Sequence, residues 1–152
     1  RTIMTNPDQQ GTPPEAAPPR PIDKVGLALL REGKLLLARS RGDTVFQIPG
    51  GKVDAQDADD LAALVREIDE ELGVAVIHDS AVFLGLFSAP AAGKTNRMVN
   101  VKLYRAEVSG TPTPCSEIEE LRWIDPSAGE SIPMSEVVRA QILPFVRQTG
   151  QQ

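Results

Sequence analysis

The segment from Asp59 to Gly73, DDLAALVREIDEELG, constrains this chain more than any other stretch. Wound as an α-helix, it places Leu61, Leu64, Val65, Ile68 and Leu72 within an arc of about 100°. That stripe must be buried, so the spacing predicts a helix over 59–72 lying on a sheet or another helix. Glu67, Glu70 and Glu71 stand at i, i+3 and i+4 and share a second arc. Ala63 lies in that arc one turn earlier and leaves room above it, while Asp69 points elsewhere. Gly73 reads as the residue just past the helix, which sets Glu70 and Glu71 in the last turn, at the negative end of the helix dipole. Acids there are unfavourable by about 0.3–1 kcal/mol each, and no lysine follows at i+4 to pair with them. A solvated helix face is the ordinary meaning of such acids. A local rule broken without visible compensation points instead to a site, and hard oxygen ligands at this density suit Mg²⁺ or Mn²⁺.

The residues upstream agree. In IPGGKV, Gly50 and Gly51 precede the loop that enters the helix, and glycine lets a backbone approach a ligand or metal closely and expose its carbonyls. Arg66 directly precedes Glu67, where it can orient a carboxylate or hold the loop. Asp57, Asp59 and Asp60 fall at the helix N-terminus, where negative charge is favourable.

Around this segment the 152 residues leave room for a proper core. Residues 1–22 read as an extended or disordered tail, because five of the thirteen prolines fall within 13–21 and apolar bulk is scarce. The folded domain is expected over 23–152. KVGLALLREGKLLLARS reads as strands 24–31 and 34–40 around a turn at Glu32-Gly33. VFQIPGGKV, AVFLGLFSA, RMVNVKLYRAEV and EELRWID are further strands. PMSEVVRAQILPFVRQ is a C-terminal helix with Ser135 as N-cap and Pro144 as a kink. The alternation is irregular, so the expected fold is α/β, a mixed sheet covered by helices on both faces.

Charge and composition exclude several partners. A net charge of −5 supplies no general field for a nucleic acid polymer or an anionic membrane surface. An anionic substrate would therefore need local cations or a bound metal. No apolar run approaches the roughly 18 residues of a membrane span. The N-terminal stretch lacks a signal-peptide core, and Cys115 is alone, so the expected location is cytoplasmic. SAPAAGKT fails the phosphate-loop pattern at Ser88 and leads into a strand rather than a helix. Lys94 and Arg97 of this stretch are still candidates to reach a substrate phosphate. DAQDADD offers no calcium-loop register. His78 reads as structural and Trp123 as core. Arg39 and Arg41 follow the second strand and are substrate-binding candidates, with ordinary surface charge as the alternative.

Residues 50–74, GGKVDAQDADDLAALVREIDEELGV, resemble the Nudix box, written G-x5-E-x7-R-E-U-x-E-E-x-G-U with U aliphatic. Gly51 opens it, and Arg66, Glu67, Ile68, Glu70, Glu71, Gly73 and Val74 match its second half position for position. FQIPG before it and EIEELRWID after it are similar to the family's flanks. One residue is inserted between Gly51 and Arg66: counted forward, Asp57 takes the place of the first glutamate; counted back, Ala58 does. The resemblance implies the Nudix-type α/β/α sandwich and hydrolysis of the diphosphate linkage in a nucleoside diphosphate joined to another group, either ADP-ribose-like or a nucleoside triphosphate. It implies that Glu67, Glu70 and Glu71 ligate Mg²⁺ or Mn²⁺ with help from the Gly50 or Gly51 backbone. Glu67 would be ligand or general base, and Arg66 would orient it. A further acid is expected from the loop before the last strand, Glu117 first, with Glu119 and Glu120 as rivals. Pro90 stands about 16 residues past the box, as in some ADP-ribose-cleaving members. A homodimer is a habit of the family. The alternative, prompted by the inserted residue and the absent first glutamate, is a Nudix-like nucleotide-binding module with weak or no turnover.

Overall fold

The computed structural model describes residues 19–91, 96–128 and 131–149. The apolar run after Asp23 lies at its centre. Strand β1 (Ile22–Ala28) pairs parallel with β7 (Met98–Arg105) on one side and antiparallel with β4 (Gly50–Lys52) on the other. β6 (Val82–Pro90) adds antiparallel to β7, which gives a four-stranded mixed sheet in the order β4-β1-β7-β6. A second sheet joins β2 (Leu30–Arg31), β3 (Lys34–Ser40) and β9 (Ile118–Ile124), all antiparallel. The β2–β3 turn falls at Glu32-Gly33 as expected, both residues having positive φ (53° and 78°). A short pair, β5 (Ala75–Val76) with β8 (Val108–Ser109), completes the strands, and a single 3₁₀ turn spans His78–Ser80.

The three successive leucines of β3 show how the layers form. Leu35 and Leu37 turn to one core and Leu36 to the other, and all three are fully buried. A strand covered on both faces reads as an unbroken apolar run. One core gathers Val25, Leu27 and Leu36 against Leu64, Ile68 and Leu72 of helix α1 (Asp60–Leu72). Trp123 packs against this core from its edge. The other gathers Leu35, Leu37, Leu103 and Ile124 against Val138 and Ile142 of the C-terminal helix. This is the sandwich expected from the sequence, with its sheet divided in two. Each fully buried leucine or isoleucine contributes roughly 1.5–3 kcal/mol.

Helix α1 is defined at both ends. The Asp59 side chain accepts from the Ala62 amide at 2.8 Å, and Gly73 follows in the left-handed conformation (φ 68°) with its N–H on the Asp69 carbonyl. The loop after β8 docks on the same end: the amides of Thr113 and Cys115 donate to the carbonyls of Leu72 and Glu71, both at 3.0 Å. Helix carbonyls otherwise left open are thereby satisfied.

The C-terminal helix departs from expectation. Its first part, Val137–Ile142, is a wide π turn, with the Leu143 amide donating to Val138 five residues back; a regular α2 (Leu143–Thr149) follows. Pro144 sits where the wide turn gives way to the regular one, a position at which it has no amide to donate to the preceding turn. Ser135 does not cap the helix. Its amide donates to the Phe46 carbonyl at 3.0 Å, and its buried hydroxyl has no partner among the described residues. No described helix is long and apolar enough to cross a membrane.

Candidate active site

Arg66 is the hub around which the carboxylates are arranged. Its Nε and Nη2 donate to the two oxygens of Asp57 at 3.0 and 2.8 Å, a bidentate pair. Nη2 also donates to the Lys52 carbonyl at 3.1 Å, and Nη1 donates to Glu67 Oε2 at 3.1 Å. Asp57 holds the entry loop in return, accepting from the Asp54 amide at 2.7 Å. The Arg66 guanidinium, with that amide, keeps the Asp57 carboxyl below the usual carboxylate range. Of the two positions the counts allow, Asp57 is the one that carries a carboxylate, and it is the one Arg66 holds.

The three box glutamates occupy different surroundings. Glu71 is 6% exposed, and the Gly50 amide donates to its Oε1 at 3.1 Å. Burial pushes its carboxyl up to about 8 against that hydrogen bond, with Glu117 and Glu67 adding to the rise. Glu67 is half-buried and also raised by burial, Arg66 opposing. Glu70 is exposed, 3.7 Å from Arg66 Nη1. The two glycines serve different ends. A Cβ on Gly50, whose φ is 148°, would stand 2.0 Å from the Val25 carbonyl oxygen, whereas one on Gly51 would stand 2.3–2.5 Å from the Glu67 carboxylate. Gly50 lets the backbone close on β1; Gly51 leaves space for a carboxylate.

Glu117 joins this group and its rivals do not. Its charge raises both Glu67 and Glu71. Glu119 and Glu120 are instead paired with Arg39 at 3.1 and 3.2 Å, and Glu120 also with Arg122 at 3.0 Å. Arg41 fixes the Glu117 loop: its amide donates to the Glu117 carbonyl at 2.8 Å and its guanidinium to the Ser116 carbonyl at 3.0 Å, Ser116 itself having φ 58°. Arg97 donates to the Arg20 carbonyl at 3.0 Å, beside the start of β1. Lys94 lies outside the described residues.

Among the described residues no three His, Cys, Asp or Glu side chains converge into a finished metal cage. The donor set fits a divalent cation all the same. Two raised, part-buried carboxylates face a third, Gly51 leaves room at one of them, and the one cationic side chain in contact, Arg66, is shared with Asp57. Like charges brought this close, with a single guanidinium already shared with Asp57, suit an added cation.

A cavity of about 370 Å³ opens at the Lys24 end of β1, its wall including Lys24, Asp43, Gln47, Pro90, Ser135 and Val137 but none of the box glutamates. Lys24, on β1, links the two. Burial pulls its ammonium below the usual lysine range, with Glu71 and Glu67 opposing. Another cavity, of about 310 Å³, lies at the opposite end of β1, around Leu29, Arg31 and Arg105, and holds none of these carboxylates.

A mixed sandwich that gathers helix-borne carboxylates at one site suits metal-assisted hydrolysis. Residues 20–145 match the family model described as the NUDIX domain, and the chain belongs to that family as one of its pyrophosphohydrolases. Members generally use divalent metal ions. Among solved structures, the chain is similar to a MutT NUDIX hydrolase from Burkholderia pseudomallei (28% identity, 78% of this chain and 93% of that one, TM-score 0.65). It shares its fold with a mutator MutT protein from Bacillus halodurans (22%, 83% and 80%, TM-score 0.62) and an ADP-ribose pyrophosphatase from Streptococcus suis (17%, 87% and 93%, TM-score 0.57). No curated protein matches the sequence at a significant level.

The sequence reading gave Lys24 and Gln47 no role, took Ser135 only as a helix cap, and left the partner of Arg66 open. A signal for Asp57 existed in the forward count. Ser135 carried a misleading one, a helix cap.

Proposed function

We propose that this enzyme hydrolyses the diphosphate linkage of a nucleoside diphosphate joined to another group, using Mg²⁺ or Mn²⁺ held by Glu67, Glu70 and Glu71. The observation that carries the reading is the gathering of the buried Glu71 and the half-buried Glu67 beside Gly50 and Gly51, both carboxyls raised by burial and by Glu117, with one guanidinium, itself shared with Asp57, to offset them. The bound cation would neutralise phosphate oxygens and lower the pKa of an attacking water. The chain's own groups do the rest. Arg66, fixed by Asp57 and the Lys52 carbonyl, orients Glu67. Glu67 or Glu117 accepts the proton of the water, a step worth about 10²–10⁴-fold. Arg41 positions Glu117 through the backbone of its loop. The cavity takes the nucleoside or the group joined to it, and Pro90 in its wall supports the ADP-ribose-like substrate over a triphosphate.

The test is hydrolysis of ADP-ribose, nucleotide sugars, dinucleoside polyphosphates, and ordinary and oxidised triphosphates, each with Mg²⁺ and with chelator. Metal-dependent cleavage at a diphosphate bond, lost by about 10²-fold or more in Glu67→Gln, is the expected result. Silence across the panel with metal and nucleotide still bound would sink it in favour of a binding module.

A further inference from the structure

We infer that Lys24 is a substrate-binding residue whose ammonium, on the cavity wall, takes a phosphoryl oxygen of the bound diphosphate. The inference rests on the proposed function and names a contact within it.

Lys24 sits inside the sheet, not at its edge. Its strand is paired on both sides, with Lys52 opposite it on β4 and Val101 on β7. The side chain is half-buried, and its one hydrogen bond is a long one, 3.4 Å, to the neutral amide oxygen of Gln47. An ammonium carries three donors. No carboxylate among the described residues reaches salt-bridge distance of it, although charges face it from each neighbouring element: Glu67 and Glu71 from α1, Asp43 from the loop after β3, and Lys52 from β4. A cation withdrawn from water without a contacting anion is costly to keep. Lys24 and Ser135 line the same cavity, and the Ser135 hydroxyl is a second donor with nothing to donate to. On that wall, where Asp43 is the one carboxylate, an ammonium with two of its three donors unmet among the described residues calls for a ligand rich in acceptors and negatively charged. The diphosphate of the substrate is that group, and Lys24 lies between the carboxylates and the space for the remainder of the molecule.

The competing role is purely structural: Lys24 neutralises Glu67 and Glu71 and meets no ligand. Binding of methylenediphosphonate, a diphosphate mimic that resists hydrolysis and carries no base, separates the two. It would be titrated calorimetrically in Mg²⁺ into wild type, Lys24→Met and Lys24→Arg, with Mg²⁺ affinity and thermal midpoint measured on each. We expect Lys24→Met to weaken the mimic about tenfold, which is about 1.4 kcal/mol, and Lys24→Arg to retain most of the affinity. Mg²⁺ should bind Lys24→Met at least as tightly as wild type, and its melting should be unchanged or higher, because the costly buried charge is gone. In wild type the ammonium NMR signal of Lys24 should shift as the mimic binds. Unaltered binding of the mimic by Lys24→Met would overturn the inference, as would parallel loss of fold stability and mimic affinity in both variants. If wild type hydrolyses a nucleotide while Lys24→Met binds the mimic normally, only this inference falls. If wild type neither hydrolyses the panel nor binds the mimic, the reading of the whole site falls with it.

Discussion

The two helices that close this sandwich break different rules, and the protein treats the breaks differently. Helix α1 sets acids against its own dipole, and its surroundings answer them. Asp59 caps its start, Gly73 and the Thr113 and Cys115 amides satisfy its end, and Arg66 ties Glu67 to Asp57. The C-terminal helix opens with a π turn and a serine that caps nothing, and nothing described answers either. The first helix has to hold charged groups at fixed positions. The second has only to close a core and a cavity wall, so loose backbone hydrogen bonding there is tolerated. A device that is compensated marks a group being positioned; one left open, like the Ser135 hydroxyl, marks a group still waiting for a partner.

The largest effects should come from the glycines that serve α1, and they should split. Gly50→Ala forces a Cβ against the Val25 carbonyl at a φ side chains avoid, so denaturant unfolding should show a loss on the order of 3 kcal/mol or more. Gly51→Ala meets only the movable end of Glu67; stability should change by about 1 kcal/mol or less, while turnover falls about 10²-fold through the displaced carboxylate. Equal stability losses in the two would contradict the division of labour assigned to them.

Next in size is the partner of Arg66. Asp57→Ala should lower metal affinity or turnover by about 10–100-fold with the fold intact, measurable by Mg²⁺ titration and steady-state rates. Normal kinetics in that variant would show that the inserted loop has made Asp57 dispensable.

A pH effect of α1 comes third. Because Glu71 is raised from 4.5 to about 8 in the folded protein, its contribution to stability is fully present below 4.5 and is lost as pH rises through about 8. Metal-free protein should therefore melt progressively lower across that window, and Glu71→Gln should flatten the slope. An identical slope in wild type and variant would remove Glu71 as its cause.

The smallest effects contrast the two caps. Asp59→Ala should cost about 0.5–2 kcal/mol. Ser135→Ala removes a hydroxyl with no partner and should stay within about 0.5 kcal/mol of wild type. A loss at Ser135 as large as at Asp59 would mean that the serine is a cap after all.

What could be read from the chain follows the same divide. α1 was legible because its apolar period, its aspartate start and its glycine end all agree, and the leucines of β3 were legible because a doubly covered strand has to be apolar throughout. The C-terminal helix was misread at its start: a serine ahead of an apolar run looks the same whether it serves a helix amide or faces a cavity. The bridge that pulls Ser135 to Phe46 decides between them, and that contact is distant in sequence. Lys24 was passed over for a similar reason, since a lysine near the start of a strand reads as solvated until both neighbouring strands are known. Glu117 was placed first from the sequence, but its rivals Glu119 and Glu120 are set aside by contacts distant in the chain, the pairs they make with Arg39 and Arg122.

The parallel pairing of β1 with β7 bears on how the protein is made. Asp23 and Asn100, linked across that pair, are 77 residues apart, and β3 finds β9 only later still in the chain. As the polypeptide leaves the ribosome, β1, the glycine loop and the whole acidic helix emerge before the strands that will enclose them. Such distant pairings close slowly, and exposed strand edges are open to association in the interval. The stretch that emerges first carries Glu67, Asp69, Glu70 and Glu71 in close succession, and a dense negative charge of that kind opposes association of unpaired segments until β9 arrives.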